Sequence, residues 1–291
     1  MFAGSVRQHQ TASARPLRIC FKYHHMLCAI LVDIEVDLNV KVIVEAIVTV
    51  AVNLKEYVMK RPYIVCHMMS SVDGRIDCAM TEKLAGVEDY YSTLSELNAP
   101  ATVSGRVTAQ LELASPGEFK GGDGALGHEA FAKNAASRGY EIVADTRGSL
   151  LWDDEGEMPR LILTSENADK SYLEYLNGRG ISWIACGRNA IDLARACEIL
   201  SSEFGVERMA VVGGGRINAG FLRAGLLDEV SLLIGPGIDG RGGMTAVFDG
   251  LPSDSGVYTL RLESVKTYKS GAVWILSLIH ISEPTRLDVI S

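Results

Sequence analysis

Met209-Ala-Val-Val-Gly-Gly-Gly-Arg-Ile-Asn218 joins an apolar run to a segment of helical periodicity. The run Met209 to Val212 followed by Ile217, Phe221 and Leu222 at helical spacing predicts a buried strand that turns directly into a helix. At such a junction Gly213, Gly214 and Gly215 let the backbone take positive φ and leave one surface without Cβ atoms. The main-chain N–H groups of the helix N-terminus then lie open, and a diphosphate can approach them. Arg216 adds a cation beside the turn. Two readings stand: a nucleotide site, or a glycine turn needed only for close packing.

Working outward, the chain of 291 residues is 47% hydrophobic and 22% charged, the balance of a globular protein that can bury a core. A net charge of −8 without a Lys/Arg cluster argues against a nucleic-acid partner, yet leaves room for a local basic pocket around one small phosphorylated ligand. The six cysteines are scattered and lack the spacing zinc needs, so they read as buried reduced thiols and no metal is expected. There is no secretory signal and no apolar run long enough to span a membrane, which makes the cytoplasm the expected compartment.

The two ends read differently from the middle. Val32, Ile34, Val36, Leu38, Val40 and Val42 alternate with mostly charged residues, a strand pattern. Met59-Lys-Arg-Pro-Tyr-Ile-Val65, however, opens like the first strand of a domain. Residues 1–58 are therefore an extra hairpin or translated upstream sequence, and the domain is expected over 59–276. From Ser277 onward, Leu276-Ser-Leu-Ile-His-Ile-Ser-Glu-Pro-Thr-Arg286 resembles translated adapter sequence, and 277–291 is expected to be a non-native tail.

Between these ends short apolar runs alternate with helical stretches, the pattern of an α/β domain with a mostly parallel central sheet flanked by helices. Strands are expected at Tyr63–Met68, Ala101–Ser104, Glu141–Asp145, Arg160–Thr164, Ser182–Ala185, Arg208–Val212 and Glu229–Ile234, with a closing pair at Thr259–Thr267 and Ala272–Ile275. Helices are expected at Val87–Leu97, Thr108–Leu113, Tyr172–Leu176, Ala190–Phe204 and Ile217–Ala224. The glycine-rich stretches Gly121–Gly124 and Gly235–Gly243 are loops.

Ser71-Val-Asp-Gly-Arg-Ile76, Ser104-Gly-Arg-Val-Thr108, Val211 to Asn218, and Gly225-Leu-Leu-Asp-Glu229 leading to Gly235-Pro-Gly-Ile-Asp-Gly240 occur in that order. Together they resemble the reductase domain of bacterial riboflavin biosynthesis, a relative of dihydrofolate reductase, over Arg61 to Leu276. The resemblance implies a dihydrofolate reductase-like fold, NADPH as cofactor, a homodimer, and reduction of the ribose of 5-amino-6-(5-phosphoribosylamino)uracil to a ribityl chain. Alternatives are a pterin-like or carbonyl substrate, or a nucleotide-binding module without catalysis. No zinc deaminase signature of the kind that precedes this reductase in bifunctional relatives is found.

Carried over by position, the resemblance implies that Gly213, Gly214, Gly215, Arg216, Ile217 and Asn218 wrap the cofactor diphosphate, with Gly105 and Thr108 as a second contact, Thr108 being otherwise a helix N-terminal hydroxyl. Thr164 and Ser165 look like a hydroxyl pair near the adenosine phosphate, or an N-cap for the next segment of chain. Ser70 resembles a backbone contact beside the nicotinamide, and Ser71 is a substrate candidate. Asp73 belongs either to the substrate site or to its own turn. Glu112 stands where the family has an aspartate near the reacting centre, so it is a candidate acid or else a solvated helix residue. The family's glutamate before the glycines is Val212 here. Ala114-Ser-Pro-Gly117 replaces its Asp-Pro pair, and its downstream arginine is missing, so the substrate side departs more than the cofactor side.

Overall fold

The computed structural model describes residues 61–153 and 156–279, so the expectations for 1–58 and for 280–291 lie outside the described residues. Strand β1 (Tyr63–Ser70) is followed by α1 (Cys78–Thr81), α2 (Val87–Glu96), β2 (Ala101–Gly105) and α3 (Arg106–Glu112). Next come β3 (Ala130–Ala132), β4 (Glu141–Ala144), β5 (Arg160–Thr164), α4 (Lys170–Gly178), β6 (Ser182–Ala185) and α5 (Leu193–Ser202). The chain continues with β7 (Arg208–Gly213), α6 (Gly215–Arg223), β8 (Glu229–Ile234), β9 (Leu260–Thr267) and β10 (Val273–Ile279).

Among the described residues the strands join one ten-stranded sheet in the order β3-β6-β5-β4-β2-β7-β1-β8-β10-β9. From β6 to β8 every neighbour is parallel, while β3 at one edge and the β9–β10 pair at the other are antiparallel. Strand alternation divides the core between two faces. Ile64, Cys66, Val103, Ile142, Leu161, Met209 and Val211 pack with α5 and α6 on one face. On the other, Val143, Ile162 and Trp183 meet α3 and α4, and Val65, Met69, Leu233 and Trp274 meet α2. The parallel strands are buried on both faces, which is why they read as unbroken apolar runs.

Most expected strands and helices form within a residue or two of their predicted limits, and β5, β6 and β8 match them. Two elements had no signal. Strand β3 is Ala-Phe-Ala, exists through antiparallel pairing with Trp183–Ala185, and closes an edge. Helix α1 is a single turn with no buried residue. Strand β10 runs to Ile279, past the expected boundary at 276, because Ser277 and Leu278 pair with Val230 and Glu229 of β8.

One buried polar cluster lies under α2. His67 Nδ1 meets Ser231 Oγ at 2.8 Å, Trp274 Nε1 donates to the same oxygen at 2.7 Å, and His67 Nε2 faces the Tyr90 carbonyl at 3.2 Å. This pattern suits a neutral ring protonated on Nε2, because Ser231, receiving from Trp274, has its own proton to give to Nδ1. Burial pushes the His67 pKa down to about 4. The unfolded chain binds a proton near pH 6.5 and the folded one only near 4. Stability therefore falls as pH drops through that window, by up to about 1.4 kcal/mol per pH unit. Thermal unfolding followed from pH 7 to 4.5 is expected to show this slope in the wild type and a shallower one in His67→Gln.

Candidate active site

The Gly213–Gly215 turn sits at the carboxyl end of β7, between β2 and β1, where open parallel sheets place their ligand crevices. Pairing of β2 with β7 runs Val103 to Val211 and then jumps from Ser104 to Gly213, leaving Val212 as the extra residue of a bulge. Bulges re-aim the chain beside functional sites. Here the bulge sets Gly213 against the end of β2.

The three glycines serve three different needs. A Cβ on Gly213 would stand 2.8 Å from Thr108 Cγ2, 3.0 Å from Thr108 Oγ1 and 3.1 Å from Ser104 Cβ, so this glycine is the seat of Thr108. Gly214 has φ +95° and would meet only ordinary contacts at 3.7 Å; its need is conformational, and the space beside it is open. A Cβ on Gly215 would lie 2.2 Å from the Ala246 carbonyl, because residues 244–249 are strapped across the turn. The surface expected to be bare along the whole triplet is thus bare at Gly214 alone.

The strap is held from both sides. Arg75 bridges Ala246 and donates through Nη1 to the Met244 carbonyl, Ile76 N donates to Thr245 O at 3.2 Å, and Asp249 N donates to Gly215 O at 3.1 Å. Asn218, fully buried, donates through Nδ2 to Val247 O at 2.7 Å, which makes it an anchor for the strap. Its own N–H reaches Gly214 O at 3.1 Å, closing the first turn of α6. The N–H groups of Gly215, Arg216 and Ile217 precede that bond and have no intrahelical partner, and no side chain caps the helix. Ile217 Cγ2 packs 3.5 Å from the Cβ position of Gly105 and 3.7 Å from that of Gly214, lining the cleft. Arg216 turns away and lines a separate groove of about 350 Å³ with Arg223, Gly250 and Leu251.

The other expected residues divide between open and occupied. Ser70 and Ser104, at the ends of β1 and β2, are buried and their hydroxyl oxygens have no partner; Asn218 Oδ1 shares this state. Asp73 accepts from Ser71 Oγ at 2.7 Å and from the N–H groups of Asp239 and Gly240 at 2.9 and 3.0 Å. The Ser71 hydroxyl, followed by these two amides, holds its carboxyl well below the usual range. Asp73 and Ser71 thereby clamp the turn after β1 to the loop after β8. Thr164 and Ser165 both donate to the Thr146 carbonyl, at 3.2 and 2.8 Å, and Ser165 Oγ accepts from Asn167 N at 3.3 Å. That pair closes a buried turn. Glu112 is exposed at the end of α3, one turn beyond Thr108 on the same side, and its Oε1 accepts from Cys78 Sγ at 3.0 Å. Burial first, then Glu112, pushes the Cys78 thiol up to about 12.

Sequence reasoning passed over Ser104, Arg75 and the strap. Ser104 lay inside a quoted motif, but nothing in its identity showed that its hydroxyl would lack a partner. Cys66, Cys186 and Cys197 are buried free thiols as expected, while Cys78 is only half-buried; Cys20 and Cys28 lie outside the described residues. Among the described residues no His, Cys, Asp and Glu cluster is placed to hold a metal, and no helix is long and apolar enough to cross a membrane.

The family model for the RibD C-terminal domain matches residues 62–276. The chain belongs to that family. Among curated relatives, the 2,5-diamino-6-ribosylamino-4(3H)-pyrimidinone 5′-phosphate reductase of Methanothermobacter thermautotrophicus is 25% identical over 222 residues, covering 72% of this chain and 94% of the relative. Among solved structures, a pyrimidine reductase-like protein of Corynebacterium diphtheriae superposes with a TM-score of 0.58 at 18% identity, over 75% of this chain and 92% of its own. The riboflavin biosynthesis reductase of Saccharomyces cerevisiae gives 0.51 at 17%, over 76% and 91%. These likenesses give the RibD fold a dihydrofolate reductase-like α/β architecture in this chain, and the family makes it an oxidoreductase.

The division of labour among the glycines predicts distinct costs. Gly214→Ala is expected to destabilise by about 1–2 kcal/mol through its left-handed backbone, and Gly215→Ala by more, since its obstacle is main chain. Gly213→Ala is expected to recover stability when combined with Thr108→Ala, which removes the side chain in its way. Urea unfolding of the single and double variants measures all three, and additivity of the last pair would contradict the packing described.

Proposed function

We propose that the chain is an NADPH-dependent reductase of a ribosylaminopyrimidine 5′-phosphate, with 5-amino-6-(5-phosphoribosylamino)uracil as the nominal substrate. One observation supports this reading above the others. Of the five buried side-chain polar atoms without a partner among the described residues, Ser104 Oγ and Asn218 Oδ1 belong to residues that flank the glycine turn, and Ser70 Oγ lies at the carboxyl end of β1, the strand on the other side of β7. Buried polar groups are rarely left unpaired. Together with the uncapped amides of α6 and the open space at Gly214, they fit a dinucleotide.

In this reading the N–H groups of Gly215, Arg216 and Ile217 hold the diphosphate, while Thr108, seated on Gly213, gives a hydroxyl on the cleft side. When bound, the cofactor supplies a hydride to the carbonyl-level carbon of the opened ribose. Glu112, one turn beyond Thr108, would in this reading deliver a proton to the oxygen that gains charge, a contribution of roughly 10²–10⁴-fold. Asp73 and Ser71 act at one remove, by fixing the shape of the turn between β1 and α1. Val212 favours a second reading with a pterin-like or carbonyl substrate, since an isopropyl group there cannot hold a polar substrate as the family's glutamate does.

NADPH at about 100 times its dissociation constant is expected to stabilise the protein by roughly 2.7 kcal/mol, and the same titration with NADH reads the preference. Reduced-nicotinamide consumption is then followed with the aminouracil ribotide, dihydrofolate and small aldehydes. Glu112→Gln is expected to lower kcat on the ribotide by about 10²–10⁴-fold with cofactor affinity little changed. No thermal shift with either nucleotide would sink the reductase reading; turnover of another compound but not the ribotide would move it to the second.

The same reading includes a homodimer working in the cytoplasm, a compartment that suits the free thiols. All eight residues of β9 are exposed. Glu263 is the extra residue of a bulge against β10, which brings Leu260, Leu262 and Val265, 47%, 58% and 54% exposed, onto one face with Ile275 and Ile279. Such an apolar sheet face calls for a cover, and a second copy of the chain supplies one. Leu262→Asp with Val265→Asp is expected to convert a dimer to a monomer in light scattering; a wild type that is monomeric at micromolar concentration refutes this part.

A further inference from the structure

Among the described residues several buried serines are spoken for, while Ser70 at the end of β1 and Ser104 at the end of β2 are not. Ser71 donates to Asp73, Ser165 to the Thr146 carbonyl, Ser231 is joined to His67 and Trp274, and Ser182 Oγ accepts from the N–H groups of Asn134 and Ala135 at 3.1 and 3.2 Å. Like that of Ser70, the hydroxyl of Ser104, only 5% exposed, meets no donor or acceptor, but Ser104 is the one in register with the glycine turn. It is the penultimate residue of β2, and the bulge at Val212 brings it into register with Gly213. Ser104 Cβ and Thr108 Oγ1 lie 3.1 and 3.0 Å from the place a Gly213 Cβ would take, so two hydroxyl-bearing side chains crowd onto one bare α-carbon at the crevice.

We propose that the Ser104 hydroxyl is kept free of protein partners to hydrogen-bond a neutral amide or hydroxyl group of the ligand bound at the Gly213–Gly215 turn. Neither the family resemblance nor the motif spacing gave Ser104 a role, and the proposal rests on the reductase reading of that turn. A serine Oγ has three staggered positions. The one taken here has no competing bond within the protein, so a single χ1 rotation toward a ligand breaks nothing. An unpaired buried hydroxyl costs stability in the ligand-free chain, and the cost persists where function uses the group. The amide or hydroxyl comes either from the cofactor or from the reducible substrate, which offer the same chemistry at this point.

The test compares Ser104→Ala with Ser182→Ala, whose hydroxyl is fully paired, in the full chain. Melting temperature without ligand, NADPH affinity by fluorescence quenching, and KM for the ribotide are measured for each. Ser104→Ala is expected to melt at or above the wild-type temperature and to weaken binding by roughly fivefold or more, whereas Ser182→Ala melts lower and binds normally. A weaker NADPH affinity assigns the bond to the cofactor; an unchanged NADPH affinity with a raised KM assigns it to the substrate. If Ser104→Ala binds both normally, or loses stability as Ser182→Ala does because a buried water serves the hydroxyl, the proposal is overturned while the reductase reading stands. A wild type that binds no NADPH and turns nothing over removes that reading, and this proposal with it.

Discussion

Two contacts against missing side chains organise this molecule: Thr108 resting on the α-carbon of Gly213, and the Ala246 carbonyl resting on that of Gly215. Between them the chain passes from β7 to α6 with its first helical amides uncapped. Neither approach tolerates a Cβ without displacement of its neighbour. Because the obstacle at Gly215 is main chain, the strap cannot yield by changing a rotamer. The crevice therefore has a floor fixed by packing, and only Gly214 leaves room for a ligand to come close.

The consequences spread along the carboxyl edge of the sheet. Asn218 gives its amide hydrogen to the strap and keeps its oxygen unpaired, while Ser70 and Ser104 keep theirs unpaired on the strands to either side. By contrast Asp73, Ser71, Thr164 and Ser165 have committed their polar atoms to turns. A polar residue at this edge thus either commits its polar atoms to the shape of a loop or keeps them unpaired beside the crevice. The distinction lies in the hydrogen bonds and not in the residue type.

Bulges do similar work at two distant places. The extra residue Val212 turns Gly213 toward Ser104 and Thr108, and the extra residue Glu263 gathers Leu262 and Val265 onto one face. Each shifts a side-chain alternation whose period of two would otherwise send the same residues to opposite sides. One builds the floor of the crevice, and the other an apolar face at the far edge.

The α/β class, a mostly parallel sheet and the strand-to-helix turn at the glycines were legible because they follow from local pattern: apolar runs of strand length, helical periodicity, and glycines at one junction. Motif order added the family and Thr108, Glu112 and Asn218 as residues to watch. Strand β3, the continuation of β10 through Ser277 and Leu278, the strap, both bulges and the state of each hydroxyl were not legible. These depend on which segments meet across the sheet, as when Ala130–Ala132 becomes a strand through Trp183–Ala185. By itself the sequence determined which backbone conformations were accessible and where a main chain would be bare. Tertiary structure alone decided what lies against that bareness, because a hydrogen bond or a steric contact belongs to two residues, here often more than a hundred positions apart, and no local pattern records the second.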